Sequence, residues 1–222
     1  MSRTSDTPGL TEYLTALAGE DEALARVNRE TGRLPEAQMQ SRPDQGALLT
    51  FLARLVQARV ALEVGTFTGY GAICIARGLA EGGRLTCLEV DEHWAAVARA
   101  NLEAAGVADR VTVEVGPAAD ALALLPEEPH VDFAYVDADK TGYPDYYEQI
   151  LPRMKPNALL LIDNILMGGD VVDPEPGSSN AVVAELNAKI AQDERVDAAF
   201  AMVADGIAFV RKRRVASYSA SG

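Results

Sequence analysis

From residue 59 onward, short apolar runs alternate with longer segments of mixed character. Runs rich in Val, Ile and Leu fall at 59–64, 84–90, 110–115, 131–136 and 157–163. Turn residues bound them, the mark of buried strands. The segments between, at about 70–80, 92–105, 117–125 and 144–154, read as helices, and the alternation predicts a mostly parallel sheet with helices on both faces. The first 58 residues read as helical throughout. Leu10, Tyr13, Leu14 and Leu17 have helical spacing, a second helix is expected from Asp21 to Arg29, and Pro43 opens a third with Leu48, Leu49, Leu52, Leu55 and Val56 on one face. The other end differs again. After a helix near 179–192, the runs Val196–Val203 and Ile207–Arg213 are separated only by Ala204-Asp205-Gly206. Asp-Gly between strands predicts a hairpin, so the last strand should run antiparallel to its neighbour.

Composition narrows the class. A chain of 222 residues with 48% hydrophobic content suits one α/β domain. Within it, 1–58 would form the extra helices, 59–214 the core and 215–222 a tail. The net charge of −13 makes a nucleic-acid partner unexpected, because phosphate contacts need clustered Lys and Arg. The one basic run, Arg211-Lys212-Arg213-Arg214, is short. Cys74 and Cys87 sit in apolar surroundings and are expected as buried free thiols. No apolar stretch is long enough for a membrane span, and the polar start, Met1 to Pro8, has no apolar signal core. A cytoplasmic protein is expected.

The chemistry lies where strands end. One run stops at Asp137-Ala138-Asp139-Lys140 and another at Asp163-Asn164. Ligands of open α/β sheets sit at the carboxyl ends of the strands. There Asp137, Asp163 and Asn164 would present three oxygens suited to a hard ion such as magnesium or calcium. Lys140, three residues past Asp137, is near enough to act as a base. Either acidic pair alone would read as ordinary turn chemistry; the upstream segment gives the pairing its weight. The first strand runs into Gly65-Thr66-Phe67-Thr68-Gly69-Tyr70-Gly71, and the second ends at Glu89. Glycines there allow close backbone approach to a ligand, and a strand-end acid can accept from both ribose hydroxyls. The spacing is neither G-x-G-x-x-G nor a phosphate loop, so an adenosine-type ligand is favoured over a pyrophosphate.

Taken together, Glu63-Val64-Gly65-Thr66-Phe67-Thr68-Gly69-Tyr70, Val136-Asp137-Ala138-Asp139-Lys140 and Asp163-Asn164 resemble the cation-dependent O-methyltransferases, which include the catechol and caffeoyl-coenzyme A enzymes. The resemblance runs from about Met39 to Arg211. It implies a Rossmann-like class I methyltransferase fold, a seven-stranded sheet with an antiparallel C-terminal strand, S-adenosylmethionine as methyl donor, and Mg2+, or Mn2+ or Ca2+, as metal. By the same resemblance Met39, Ser41, Glu63, Gly65 and Thr66 hold the methionine part of the donor, Glu89 its ribose, and Ala118 its adenine, with Asp139 nearby. Asp137 lies beside the donor and also binds metal with Asp163 and Asn164, and Lys140 is the general base. Gly71, in the same loop, stands where many relatives carry Ser, and Met167 where the caffeoyl-coenzyme A enzymes carry Trp. A small catechol-like aromatic diol is the expected acceptor, and a homodimer the expected assembly. A phenylpropanoyl-coenzyme A ester, or a hydroxylated uridine in tRNA, is the alternative acceptor; a non-enzymatic adenosine-binding protein would need neither metal nor base. The loop Gly168–Gly177 reads either as a lid or as a surface connection.

Overall fold

The computed structural model describes residues 9–214; segments 1–8 and 215–222, including the expected tail, lie outside the described residues. Seven strands, β1 (Val60–Val64), β2 (Arg84–Glu89), β3 (Val111–Val115), β4 (Val131–Val136), β5 (Met154–Ile162), β6 (Val196–Ala201) and β7 (Ile207–Lys212), form one sheet in the order β3-β2-β1-β4-β5-β7-β6. The first five pair in parallel. β7 runs antiparallel between β5 and β6. The order reverses between β1 and β4, which opens a crevice at their carboxyl ends.

Side chains alternate across the sheet and divide the core in two. On one face Leu62, Val64, Ala134, Val136, Leu160 and Ile162 pack under α6 (Ala118–Ala123), α7 (Tyr143–Arg153) and α8 (Ser179–Gln192). On the other, Ala61, Phe133, Tyr135 and Leu161 pack under α2 (Glu22–Thr31), α3 (Pro43–Leu55), α4 (Tyr70–Gly78) and α5 (Glu92–Ala104). Cys74 and Cys87 are buried free thiols in this second core, as their surroundings predict.

The helix α1 (Leu10–Leu17) forms as its spacing predicts, yet it buries none of its residues: Tyr13, Leu14 and Leu17 are 61%, 43% and 64% exposed. Two boundaries also differ from expectation. β5 begins at Met154 rather than 157, because Met154 pairs with Val131 ahead of a register shift. Lys155-Pro156-Asn157 looks like a turn in sequence, and Asn157 does take a left-handed φ of 69°, but the strand carries through it. β6 stops at Ala201, so the hairpin turn is longer than Ala204-Asp205-Gly206, with Ala204 and Gly206 both left-handed.

Candidate active site

The carboxyl ends of β1, β2, β4 and β5 surround a cavity of about 840 Å³. The loop between β1 and α4 forms its floor. Gly65 has φ 88°, and a Cβ there would collide with the Asp137 carbonyl, so glycine lets the ends of β1 and β4 meet. Their meeting is fixed by the Asp137 N–H donating to the Val64 carbonyl at 2.8 Å.

Glu89, at the end of β2, is only 7% exposed. Its Oε2 accepts from the Thr66 and Phe67 backbone N–H at 3.0 and 2.7 Å, and its Oε1 from Asp91 N–H at 3.1 Å. The carboxylate therefore pins the glycine loop as well as facing the cavity. Phe67 sits at φ 50°, a left-handed conformation unusual for a phenylalanine, and the short bond to Glu89 helps hold it there. Trp94 packs edge-on against Phe67, with ring centroids 4.5 Å apart, and does not line the cavity.

Glu63 is buried on the same floor, and its Oε2 has no hydrogen-bond partner. Burial pushes its carboxyl up to about 8, with nearby Asp137 and Glu89 adding to the effect. Its position explains the glycine at 71, because a Cβ on Gly71 would lie 2.6 Å from Glu63 Oε1.

The opposite wall carries the acids after β4 and β5. Lys140 Nζ donates to Asp137 Oδ1 at 3.1 Å, to Asn164 Oδ1 at 2.7 Å and to the Tyr143 hydroxyl at 2.6 Å. Asp139 does not bond to this lysine; it accepts from Gly142 N–H at 2.9 Å and the Tyr146 hydroxyl at 2.5 Å. Asp163 is 2% exposed. Its Oδ2 accepts from the Tyr135 hydroxyl at 2.5 Å and from Gln45 Nε2 at 2.7 Å, while Oδ1 accepts from Asn164 N–H at 2.7 Å. Burial, and then the charge of Asp137, raise the Asp163 carboxyl to about 6. Asn164 holds a left-handed φ of 52°, a conformation Asn tolerates better than most residues.

Every residue expected to hold the donor, the metal or the proton lines this one cavity, whereas Met167 does not. Met39 and Ser41 stand at its mouth, Glu63, Gly65, Thr66, Gly71 and Glu89 on its floor, and Ala118 at the start of α6. Asp137, Asp139, Lys140, Asp163 and Asn164 complete the wall. The loop 168–177 does not reach it; Gly168 N–H is tied back to Asp205 Oδ1 at 2.8 Å. Sequence reasoning missed Gln45 and Tyr135. Tyr135 sits inside an apolar strand and carries no signal. Gln45, three residues after Arg42, has the spacing of a capping box, and its Oε1 does accept from Arg42 N–H at 3.0 Å.

The donor set is two carboxylates and one amide at the end of a crevice. Among the described residues no group of three His, Cys, Asp or Glu is placed to hold a metal. Two facing acids, one of them buried and raised by the other, form a site that a cation would relieve, and the oxygens fit a hard ion.

The family model described as O-methyltransferase matches residues 15–213. The chain belongs to the O-methyltransferase family. Its members are S-adenosylmethionine-dependent enzymes, and this chain is one of them. It is 38% identical over 195 residues to a catechol O-methyltransferase of Niastella koreensis, covering 84% of this chain and 86% of that protein. It is 34% identical over 206 residues to a caffeoyl-CoA O-methyltransferase of Stellaria longipes, covering 87% and 84%. Among solved structures it superposes on the O-methyltransferase TomG of Streptomyces achromogenes, involved in tomaymycin synthesis and solved in complex with S-adenosylmethionine. The TM-score is 0.86 at 33% identity, with 96% of this chain and 100% of that one covered. The sheet order and the antiparallel β7 are thus those of class I O-methyltransferases, as expected from the sequence.

Proposed function

We propose that this O-methyltransferase transfers the methyl group of S-adenosylmethionine to one hydroxyl of a small catechol-like aromatic, with a divalent ion bound by Asp137, Asp163 and Asn164 and with Lys140 as general base. The observation that carries the proposal is the convergence of these four side chains on the cavity that the glycine loop and Glu89 also line. The donor-binding half of the reading is supported by a relative of 33% identity solved with S-adenosylmethionine, and the acceptor half by the catechol O-methyltransferase relative.

The chain's own residues would divide the work as follows. Glu89 orients the ribose of the donor, and the Gly65 turn lets the backbone approach the methionine part. Met39, Ser41, Glu63 and Thr66 complete the methionine side, while Ala118 and Asp139 border the adenine. A divalent ion held by Asp137, Asp163 and Asn164, magnesium or else manganese or calcium, would lower the pKa of the acceptor hydroxyl and fix its direction. Lys140 Nζ takes the proton of the hydroxyl that reacts. S-adenosylmethionine, when bound, would supply the methyl group, its S–C bond breaking as the O–C bond forms and S-adenosylhomocysteine leaving; the residues of the shared cavity would hold donor and acceptor side by side.

The second acceptor reading is a phenylpropanoyl-coenzyme A ester, favoured by the caffeoyl-CoA O-methyltransferase relative. Met167 lies off the cavity wall, partly buried against the core, so a Trp-like aromatic is missing from that acceptor surface. We read the chain as one methyltransferase domain that works in the cytoplasm as a homodimer. The dimer reading draws on the exposed apolar residues of α1 together with Phe51 and Leu55 of α3, which are 61% and 64% exposed. A screen of catechols, phenolic thioesters and tRNA with labelled donor, with and without magnesium, tests the proposal. Methylation of catechols only in the presence of the ion is expected. Equal labelling after exhaustive chelation would sink the metal half, and labelling of thioesters alone would replace the acceptor.

A further inference from the structure

Lys140 spends its ammonium in an unexpected place. Its three N–H groups go to Asp137 Oδ1, Asn164 Oδ1 and the Tyr143 hydroxyl, at 3.1, 2.7 and 2.6 Å. Two of those three acceptors are oxygens assigned above to the metal. The side chain is 19% exposed, so the ammonium is held inside the wall rather than displayed on the surface. An amine that occupies the ligands in this way cannot also be aimed at an acceptor hydroxyl.

We propose that Asp137 and Asn164 serve two cations in turn, the Lys140 ammonium in the metal-free protein and the divalent ion in the loaded one, and that Tyr143 is the positioning residue that keeps Lys140 at the site during the exchange. The inference rests on the metal reading above. Tyr143 suits the role because it is 1% exposed and fixed at the start of α7, and its hydroxyl is the one Lys140 partner that is not a metal ligand. The ammonium also pairs with Asp137 at 3.1 Å when no ion is bound, so that carboxylate does not stand without a cation in the wall. Loading the site would release two of the lysine's three partners and leave Nζ on Tyr143, beside the ligands, with its other positions open. Freed of those two acceptors, the ammonium would give a proton to solvent, and the resulting amine would be available as a base only in protein that can activate the hydroxyl.

Two measurements test this, neither of them turnover. Binding of Mn2+ alone, followed by electron paramagnetic resonance, is compared in the wild type and Lys140→Met. Removing two charge-assisted bonds from the competing state should tighten Mn2+ binding about tenfold or more. Equal or weaker binding in the variant overturns the proposal. The second uses unmodified protein and does not depend on a variant folding. Trace acetylation of the four lysines, Lys140, Lys155, Lys189 and Lys212, is read by mass spectrometry with and without Mg2+. Labelling of Lys140 alone should rise on adding the ion, and should rise further in Tyr143→Phe, where the displaced amine has lost its anchor. Unchanged or reduced labelling of Lys140 in the wild type, or no added rise in Tyr143→Phe, counts against it. The metal reading fails in its own way: no saturable Mn2+ binding in either the wild type or Lys140→Met, which removes both claims together.

Discussion

Gln45 Nε2 donates to Asp163 Oδ2 at 2.7 Å, across 118 positions of sequence. The other end of the same amide caps α3 through Arg42 N–H, so the start of that helix is locked to the acid that ends β5. With Tyr135 on the same oxygen, Oδ2 carries two bonds, and Oδ1, which accepts only from Asn164 N–H, is the oxygen open to the proposed ion. Supporting bonds of this kind are typically worth 10- to 100-fold in metal affinity. Gln45→Leu should therefore weaken Mn2+ binding by roughly that factor while S-adenosylmethionine affinity stays near wild type. Calorimetric titration with each ligand checks both, and an unchanged Mn2+ affinity would reduce Gln45 to a helix cap.

The contact between Glu63 and position 71 gives a second test. A Cβ on Gly71 would lie 2.6 Å from Glu63 Oε1, so Gly71→Ala should destabilise the fold. The cost is expected at about 1 kcal/mol, the low end for overpacking, because a carboxyl end can rotate away. In a Glu63→Ala background the same substitution should cost almost nothing. Denaturant melts of the four proteins give the coupling, and strict additivity would show that the clash is relieved elsewhere.

Glu63 also makes stability depend on pH. Its carboxyl titrates near 8 in the folded protein against an ordinary 4.5, chiefly because burial disfavours the charge. Below 4.5 both folded and unfolded chains hold the proton, and no penalty applies. Between about 4.5 and 8 only the folded chain keeps it, so stability falls as pH rises, and the loss levels off above 8. Glu63→Gln has no such proton to lose. Its Tm should gain on that of wild type across this window, by on the order of 10 °C. Calorimetric scans at several pH values check this; a constant difference from acid to alkaline pH would mean that Glu63 is not held protonated.

Glu89 is expected to do two jobs. Glu89→Ala should cost S-adenosylmethionine binding about 1.5–3 kcal/mol, the range for a charged hydrogen bond. It should also loosen the loop at Thr66 and Phe67, whose N–H groups it now accepts. Hydrogen exchange at those two amides should quicken in the donor-free variant. Unaltered donor affinity with faster exchange would leave Glu89 as a loop clamp alone.

Turnover should hinge on Lys140. Lys140→Ala is expected to lower it by about 10²–10⁴, the usual cost of losing a general base, with donor affinity little changed. Higher pH should restore part of the loss, because solvent then removes the proton. Steady-state rates with a catechol acceptor from neutral to alkaline pH provide the check. Near wild-type turnover at neutral pH would mean that hydroxyl activation needs no side-chain base.

The site was legible in sequence to the extent that its residues stand at strand ends. Asp137, Asp163 and Asn164 follow apolar runs, and Glu89 ends one, that read as parallel strands, and parallel strands bring their ends to one edge. Gly65 and Gly71 could be read as sites of close approach, although only the structure identifies what approaches: the Asp137 carbonyl at one and the Glu63 carboxyl at the other. The supporting residues were hidden because their roles are set by packing across the sheet. Tyr135 alternates correctly as a core residue and shows nothing of its hydroxyl, and Gln45 looks like any cap. Lys140 was read as a base near Asp137, but its sharing of Asn164 follows from the β4–β5 register and from the left-handed turn at Asn164, neither of which periodicity reveals.

The place of β7 between β5 and β6 sets the order in which the molecule can be completed. A ribosome delivers β6 before the strand it must pair with, and β5 waits longer still, with the edge from Leu159 to Ile162 open until Ile207–Lys212 has emerged. The turn before β7 also clamps the segment just past the acids: Ile165 and Leu166 N–H donate to the Gly206 and Asp205 carbonyls at 3.2 and 3.0 Å. The β2–β1 half, with Glu89 and the glycine loop, has its pairing partners much earlier in synthesis. The glycine-loop wall and the wall of Asp163 and Asn164 therefore mature at different times on the nascent chain, and an apolar edge is exposed in the interval between them.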